Sequence, residues 1–81
     1  MKPVLPEFKK GVPITAPEQM LQTIAVLAFH LAVEMDYHYE DEDSPKLQEE
    51  VAALEMATAT LLLAGLIAPD AVHHSIERFM A

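Results

Sequence analysis

Apolar residues recur every three or four positions along most of the chain, which is the period of an amphipathic α-helix. The first such run follows Thr15-Ala-Pro-Glu18. Thr15 can accept an amide hydrogen bond, Glu18 can reach back to the backbone, and Pro17 suits a first turn. We therefore expect a helix over residues 16–39. Its apolar positions are Met20, Ile24, Leu27, Leu31 and Met35 in one stripe, Leu21, Ala25, Ala28 and Ala32 in a second, and Val26, Phe29 and Val33 beside them.

A second helix is predicted over residues 45–64. Ser44 is a suitable N-cap and Pro45 a suitable first residue, and Gly65 is placed to end the helix with Leu66 against Leu61. The apolar seam alternates steps of four and three: Leu47, Val51, Leu54, Thr58 and Leu61. Beside it runs a stripe of small residues that permits close helix approach: Ala53, Ala57, Thr60 and Ala64. The acidic run Glu40–Asp43 suits the turn between the two helices, because acids stabilise a following helix N-terminus.

A third, shorter helix is predicted over residues 69–80, with Val72, Ile76 and Phe79 on its buried face. His73, His74, Glu77 and Arg78 are expected on its exposed face. Prolines break up residues 1–15, so we predict an extended arm there whose apolar side chains lie on a surface; a partly disordered tail is the alternative. The expected fold is all-α, an antiparallel helical hairpin (16–39 and 45–64) with a short third helix (69–80), in a single domain of residues 16–81.

Composition adds a reason to expect a partner. Of 81 residues, 52% are hydrophobic and none is cysteine, so a small core without disulfides must hide an unusually large apolar content. The first predicted helix is apolar around most of its circumference, which indicates burial on more than one side. We predict that Ile24, Leu27, Phe29, Leu31 and Val33 contact a protein partner, either a second copy or a larger subunit, and that Phe8 of the arm joins them.

The charge and the apolar runs exclude other partners. A net charge of −8 repels a phosphate backbone, so we expect no nucleic-acid binding. The longest apolar stretch is far shorter than the roughly 20 residues of a membrane span, and the proline-broken start lacks a signal-peptide core. We expect a soluble cytoplasmic protein.

One polar seam on the first helix could carry chemistry. His30, Glu34 and His38 follow one another at intervals of four residues on one face. Adjacent pairs could share a metal ion, but the outer two lie roughly 12 Å apart along a straight helix. A wet helix edge or an interface feature is the favoured interpretation, and a metal-binding helical bundle stays an alternative. With no cysteine nucleophile and no glycine-rich phosphate loop, we expect no catalysis by this chain alone and no cofactor.

A further alternative is an acidic inhibitor that covers a basic site on another protein. It would use the acids near the predicted turn, which are Glu40, Asp41, Glu42, Asp43, Glu49 and Glu50. Reversing those charges would abolish inhibition but would leave an apolar dimer intact.

The segment Ala57–Met80, ATATLLLAGLIAPDAVHHSIERFM, resembles the N-terminal helical part of nitrile hydratase β subunits and the related accessory proteins. The likeness is matched on Ile76-Glu77-Arg78, with Asp70 and Val72 also corresponding. The family's arginine that reaches the oxidised cysteine ligands of the metal would fall at His73, so this chain departs from the family there. The resemblance implies a non-catalytic helical subunit or chaperone that clasps a metal-bearing α subunit, with the metal ligands supplied by that partner.

Overall fold

The computed structural model describes residues 17–80. Within that range the regular structure is entirely helical: α1 spans Pro17–His38, a 3₁₀ helix spans Asp41–Lys46, α2 spans Gln48–Leu63 and α3 spans Asp70–Phe79. The predicted all-α hairpin with a short third helix is confirmed. The predicted arm, the Thr15 cap and Phe8 lie outside the described residues.

The core lies where the three α-helices meet, and each of them packs against the other two. The seam of α2 is buried as predicted, apart from half-buried Thr58, and so is the predicted face of α3. The buried residues of α1 are Met35 and two alanines of the second predicted stripe, Ala28 and Ala32, which we call the alanine stripe. Because these alanines are small, α2 and α3 can approach α1 closely. The core side chains are Ala28, Ala32, Met35, Leu47, Val51, Leu54, Leu61, Ala68, Val72, Ile76 and Phe79.

The end of α2 takes the predicted glycine-terminated form. Gly65 has a φ of 78°, a left-handed conformation that glycine adopts without a Cβ clash. The amide of Leu66 donates to the carbonyl of Leu61 at 2.9 Å, and the amide of Gly65 donates to that of Leu62 at 2.9 Å. These two bonds satisfy carbonyls that the helix end would leave unpaired.

The predicted start of the second helix is wrong. Ser44 does not cap it, because the Ser44 hydroxyl donates to the Asp41 carbonyl (2.7 Å) inside the 3₁₀ helix, and Pro45 also lies inside that helix. The cap forms earlier: the Glu40 amide donates to the Asp43 carboxylate at 2.9 Å. Several acids that suit a helix start precede Ser44, so a short 3₁₀ helix begins first and α2 follows at Gln48.

Two polar side chains connect the elements at the level of this 3₁₀ helix. The side-chain amide of Gln48 donates from Nε2 to the backbone carbonyls of Ser44 (2.6 Å) and Phe79 (2.9 Å). The buried hydroxyl of Ser75 donates to the Ala32 carbonyl of α1 at 2.9 Å. All three bonds satisfy groups that would be costly to leave unpaired, and the bonds to Phe79 and from Ser75 fix α3 against the hairpin.

Candidate protein interface

The three residues of the polar seam on α1, His30, Glu34 and His38, do not point to one common position. Two of them form an exposed pair. His38 Nε2 lies 2.9 Å from Glu34 Oε2, and both side chains are exposed. His30 is also exposed, and its ring meets that of its neighbour Phe29 edge-on. Within residues 17–80, no three His, Asp or Glu side chains gather as metal ligands do. The seam alone therefore offers an ion two adjacent ligands at most.

Arg78 lies at the centre of a polar cluster that the sequence analysis missed. Its Nε donates to Asp41 Oδ1 (2.7 Å) and its Nη1 to Asp36 Oδ1 (2.8 Å). Nη1 also donates to the Asp36 carbonyl in the last turn of α1 (2.9 Å), and Nη2 donates to the carbonyl of Tyr39 just after that helix (3.2 Å). His74 Nε2 lies 3.3 Å from the same Asp36 carboxylate.

The charged side chains of this cluster bind one another and hold three elements of the fold together. Hydrogen bonds to Asp41 and to Asp36 raise the pKa of Arg78 above its ordinary value. A cation at the C-terminal end of a helix also suits the helix dipole and its unpaired carbonyls. The expectation that Arg78 lies on an exposed face is wrong: its side chain is only 23% exposed and joins α3 to α1 and to the 3₁₀ helix.

We expect Arg78→Gln to lower the thermal midpoint of unfolding, because four hydrogen bonds to two other elements are lost together. Arg78→Lys should recover only part of the loss, since an ammonium cannot reproduce the planar fork of a guanidinium. Lys46→Gln is the matched control: Lys46 lies 3.7 Å from Asp43 and is 78% exposed, so its loss should change little. Equal midpoints for Arg78→Gln and Lys46→Gln in differential scanning calorimetry would contradict the role given to Arg78.

Charge is distributed unevenly along the hairpin. Residues 17–80 hold twelve acidic residues against Lys46 and Arg78. Nine of the twelve acids lie in residues 34–55, at the end where α1 connects to α2. Residues 19–33 and 56–69 contain no Asp, Glu, Lys or Arg. We call these two segments the apolar half, and because α1 and α2 are antiparallel they lie side by side.

The apolar half also holds most of the exposed apolar side chains. Thirteen large hydrophobic residues are exposed within residues 17–80, and ten of them belong to the apolar half. Single exposed leucines are normal on a protein surface, but a concentration of this kind is typical of interaction sites, so the apolar half is the candidate interface. The ten residues are Met20, Val26, Leu27, Phe29, Val33, Met56, Leu62, Leu63, Leu66 and Ile67.

A groove runs between α1 and α2 beside the apolar half: its α1 wall lies within residues 19–33, while its α2 wall begins at Ala53, just before residue 56. Its volume is about 210 Å³ and its lining is almost entirely apolar. One wall comes from α1 and the other from the small-residue stripe of α2, and no residue of α3 lines it. The lining residues are Ile24, Leu27, Ala28, Leu31, Ala53, Leu54 and Ala57. We call this feature the α1–α2 groove.

The residues predicted as a partner interface separate into two groups. Ile24 and Leu31 are half-buried against the core, while Leu27, at 64% exposed, stands on the rim; all three line the α1–α2 groove. Phe29 and Val33, each 40% exposed, do not line it. The structure therefore brings three of the five described residues to one groove.

A second cleft, of about 460 Å³, lies between α1 and α3. It is open and partly polar, and the Asp36 carboxylate at its edge already lies within reach of His74 and Arg78. Its lining comprises Ala32, Val33, Asp36, Tyr37, Asp70, Ala71, His74 and Ser75. Its Asp36 carboxylate therefore already has partners within the fold.

Some acids of residues 34–55, which we call the acidic half, have partners within the fold. Asp41 accepts a hydrogen bond from Arg78, and Asp43 accepts one from the Glu40 amide and lies near Lys46. Glu42 and Glu49 remain exposed. Of the acids that an inhibitor could present to a basic target, Asp41 and Asp43 thus already have partners within the fold.

None of the helices within residues 17–80 combines the length and apolar character that crossing a membrane requires. The chain matches no protein-family model, no curated protein and no solved structure in the comparisons made with each.

Proposed function

We propose that this chain is a small, non-catalytic helical interaction module of the cytoplasm, which binds another protein chain through its apolar half. It works as a homodimer or as an accessory subunit of a larger complex. The observation that carries the proposal is that the two uncharged segments of the apolar half hold ten exposed large apolar side chains, and that the α1–α2 groove has its α1 wall in that half. Each Å² of apolar surface that a partner covers contributes about 25 cal/mol of favourable free energy.

The resemblance of residues 57–80 to nitrile hydratase β subunits supports the accessory-subunit form of this proposal. In that form the metal-bearing subunit supplies the chemistry, and this chain supplies packing surface. The segment concerned contains the exposed residues at the end of the hairpin, where Leu63 is 91% and Ile67 is 85% exposed. A large partner could cover this end together with the groove.

Site-specific photo-crosslinking in cells tests the proposal. A photoreactive amino acid at position 20 lies on the same side of α1 as Leu27, seven residues away, and leaves the groove lining intact. The matched position is 49, an exposed site on α2 in the acidic half. We expect a protein adduct from position 20 and none from position 49.

The adduct also identifies the form of the complex. A mass of two chains indicates a homodimer, and a larger mass indicates an accessory role. An adduct from position 49 alone would favour the acidic inhibitor instead, and the absence of any adduct at position 20 would contradict the proposal.

A further inference from the structure

We infer that the α1–α2 groove is filled by α1 of a second copy of this chain, in a two-fold symmetric, antiparallel arrangement with Leu27 at the axis. The inference rests on the proposed function and specifies its partner and geometry. Two hairpins joined in this way form a four-helix core on the side away from α3, which is a common packing of amphipathic helices.

The groove and α1 are complementary in shape and chemistry. The groove volume of about 210 Å³ is far above the roughly 10–15 Å³ that one water molecule needs, so a side chain of several carbons is the size of occupant that suits it. Leu27 projects at its rim with most of its side chain exposed. Across the groove, Ala53 and Ala57 present only methyl groups, which lets a helix backbone approach closely. One face therefore offers both the ridge and the groove that a two-fold interface requires.

Charge favours a second copy packed antiparallel. Any occupant must be uncharged along its contact, and α1 itself has no charged residue from position 19 to position 33. A parallel pair would place the two Glu34 carboxylates and both acidic halves at the same level. With Leu27 at the axis of an antiparallel pair, the two Glu34 residues are separated by about 21 Å along the helices, beyond the Debye length of about 8 Å at physiological salt.

The same geometry decides what symmetry does to the polar seam. In the antiparallel pair the two His30 residues are about 9 Å apart along the axis, and the two His38 residues are about 33 Å apart. The two His38–Glu34 pairs therefore lie at opposite ends of the dimer. Symmetry does not bring four histidines together, and the seam remains an edge feature.

Filling the groove from within tests the inference. Ala57→Leu places a side chain where the partner's Leu27 would sit, and it should weaken the dimer at least ~10-fold in sedimentation equilibrium. Ala59→Leu is the matched control, because Ala59 is exposed on the same helix and does not line the groove. We expect its dissociation constant to equal that of the unaltered chain. Circular dichroism of both variants checks that the helices are retained.

Disulfide trapping tests the register. The chain has no cysteine, so Leu27→Cys introduces one thiol per copy. At the two-fold axis the two thiols lie close enough to be bridged, and air oxidation, which removes a hydrogen from each thiol, should yield a covalent dimer. Val26→Cys places its thiol about 100° around the helix and should run as a single chain in non-reducing electrophoresis.

Each contrary result has a definite meaning. A dimer unaffected by Ala57→Leu, or one trapped at position 26 but not at position 27, would overturn the inference. A chain that stays at its 9.0 kDa mass while position 20 still crosslinks to a larger protein would also overturn it, yet the proposed function would stand. A 9.0 kDa chain with no adduct at position 20 would end both.

Discussion

Phe79→Ala is expected to cost about 3–5 kcal/mol of unfolding free energy. Phe79 is fully buried at the end of α3, where its carbonyl also accepts a hydrogen bond from Gln48. Truncation removes the transfer free energy of a whole ring and leaves a cavity between helices that cannot fully collapse. Since small domains have only about 5–15 kcal/mol in total, this one change removes a large share of the stability. Urea unfolding followed by far-UV circular dichroism measures it.

The matched control is Phe29→Ala. Phe29 is 40% exposed on the outer side of α1, so the same chemical truncation removes fewer contacts and creates no enclosed cavity. We expect a much smaller change in the urea midpoint. Equal losses for the two variants, measured at the same protein concentration, would show that α3 does not close the core as described.

Leu54→Ala is expected to cost about 2–5 kcal/mol already in dilute protein, where the chain is single. Leu54 is 0% exposed and lies at the floor of the α1–α2 groove, so its loss opens the core from beneath. Leu27→Ala is the informative comparison, because the same atoms are removed from a residue that is 64% exposed in the single chain.

In dilute protein Leu27→Ala should cost less than about 1 kcal/mol, as surface truncations do. At high concentration its cost should rise, because a dimer stabilises the folded chain by mass action and Leu27 is then buried. Unfolding curves over a range of concentrations measure both terms. A cost for Leu27→Ala that stays small at every concentration would show that nothing covers this residue.

Most of the fold could be predicted from local patterns. The steps of four and three placed Leu47, Val51, Leu54 and Leu61 on one face, and that face is buried. The glycine-terminated end of α2 was also predicted, because glycine takes the left-handed backbone conformation that few other residues adopt. In each case the signal lies within a few residues of the structure it specifies.

The start of α2 could not be located in this way, because the segment Glu40–Pro45 contains several overlapping start signals. The Asp43 carboxylate and the Ser44 hydroxyl could each bond an amide at a helix start, and in the structure the 3₁₀ helix, which also packs on α3, has Glu40 as its N-cap. The contact between the 3₁₀ helix and α3 cannot be read from the local sequence.

Arg78 was missed for a different reason. Its partners Asp36, Tyr39 and Asp41 lie 37 to 42 residues away, so the cluster exists only once α3 is placed against the end of α1. A signal was present, however: Lys46 and Arg78 are the only Lys or Arg in residues 17–80. A lone arginine in an acidic domain is a strong candidate for an internal partner of carboxylates.

The interface on α1 stays a prediction, and the structure shows only which residues of α1 the rest of the chain covers. Apolar residues around most of a helix favour burial on more than one side, but they do not tell which side the rest of the chain covers. The structure assigns the alanine stripe to the core and leaves Leu27 at the rim of a groove. The groove itself needs α2 beside α1, which no local pattern specifies.

The central claim, that a second copy covers the α1–α2 groove, is tested most directly by the molar mass of the full chain in solution. Light scattering coupled to size-exclusion chromatography should give twice the 9.0 kDa chain mass for the unaltered protein and a single chain for Leu27→Glu. Val26→Glu adds the same charge outside the groove and should remain dimeric. An unaltered chain that elutes as a 9.0 kDa monomer at every concentration would contradict the claim.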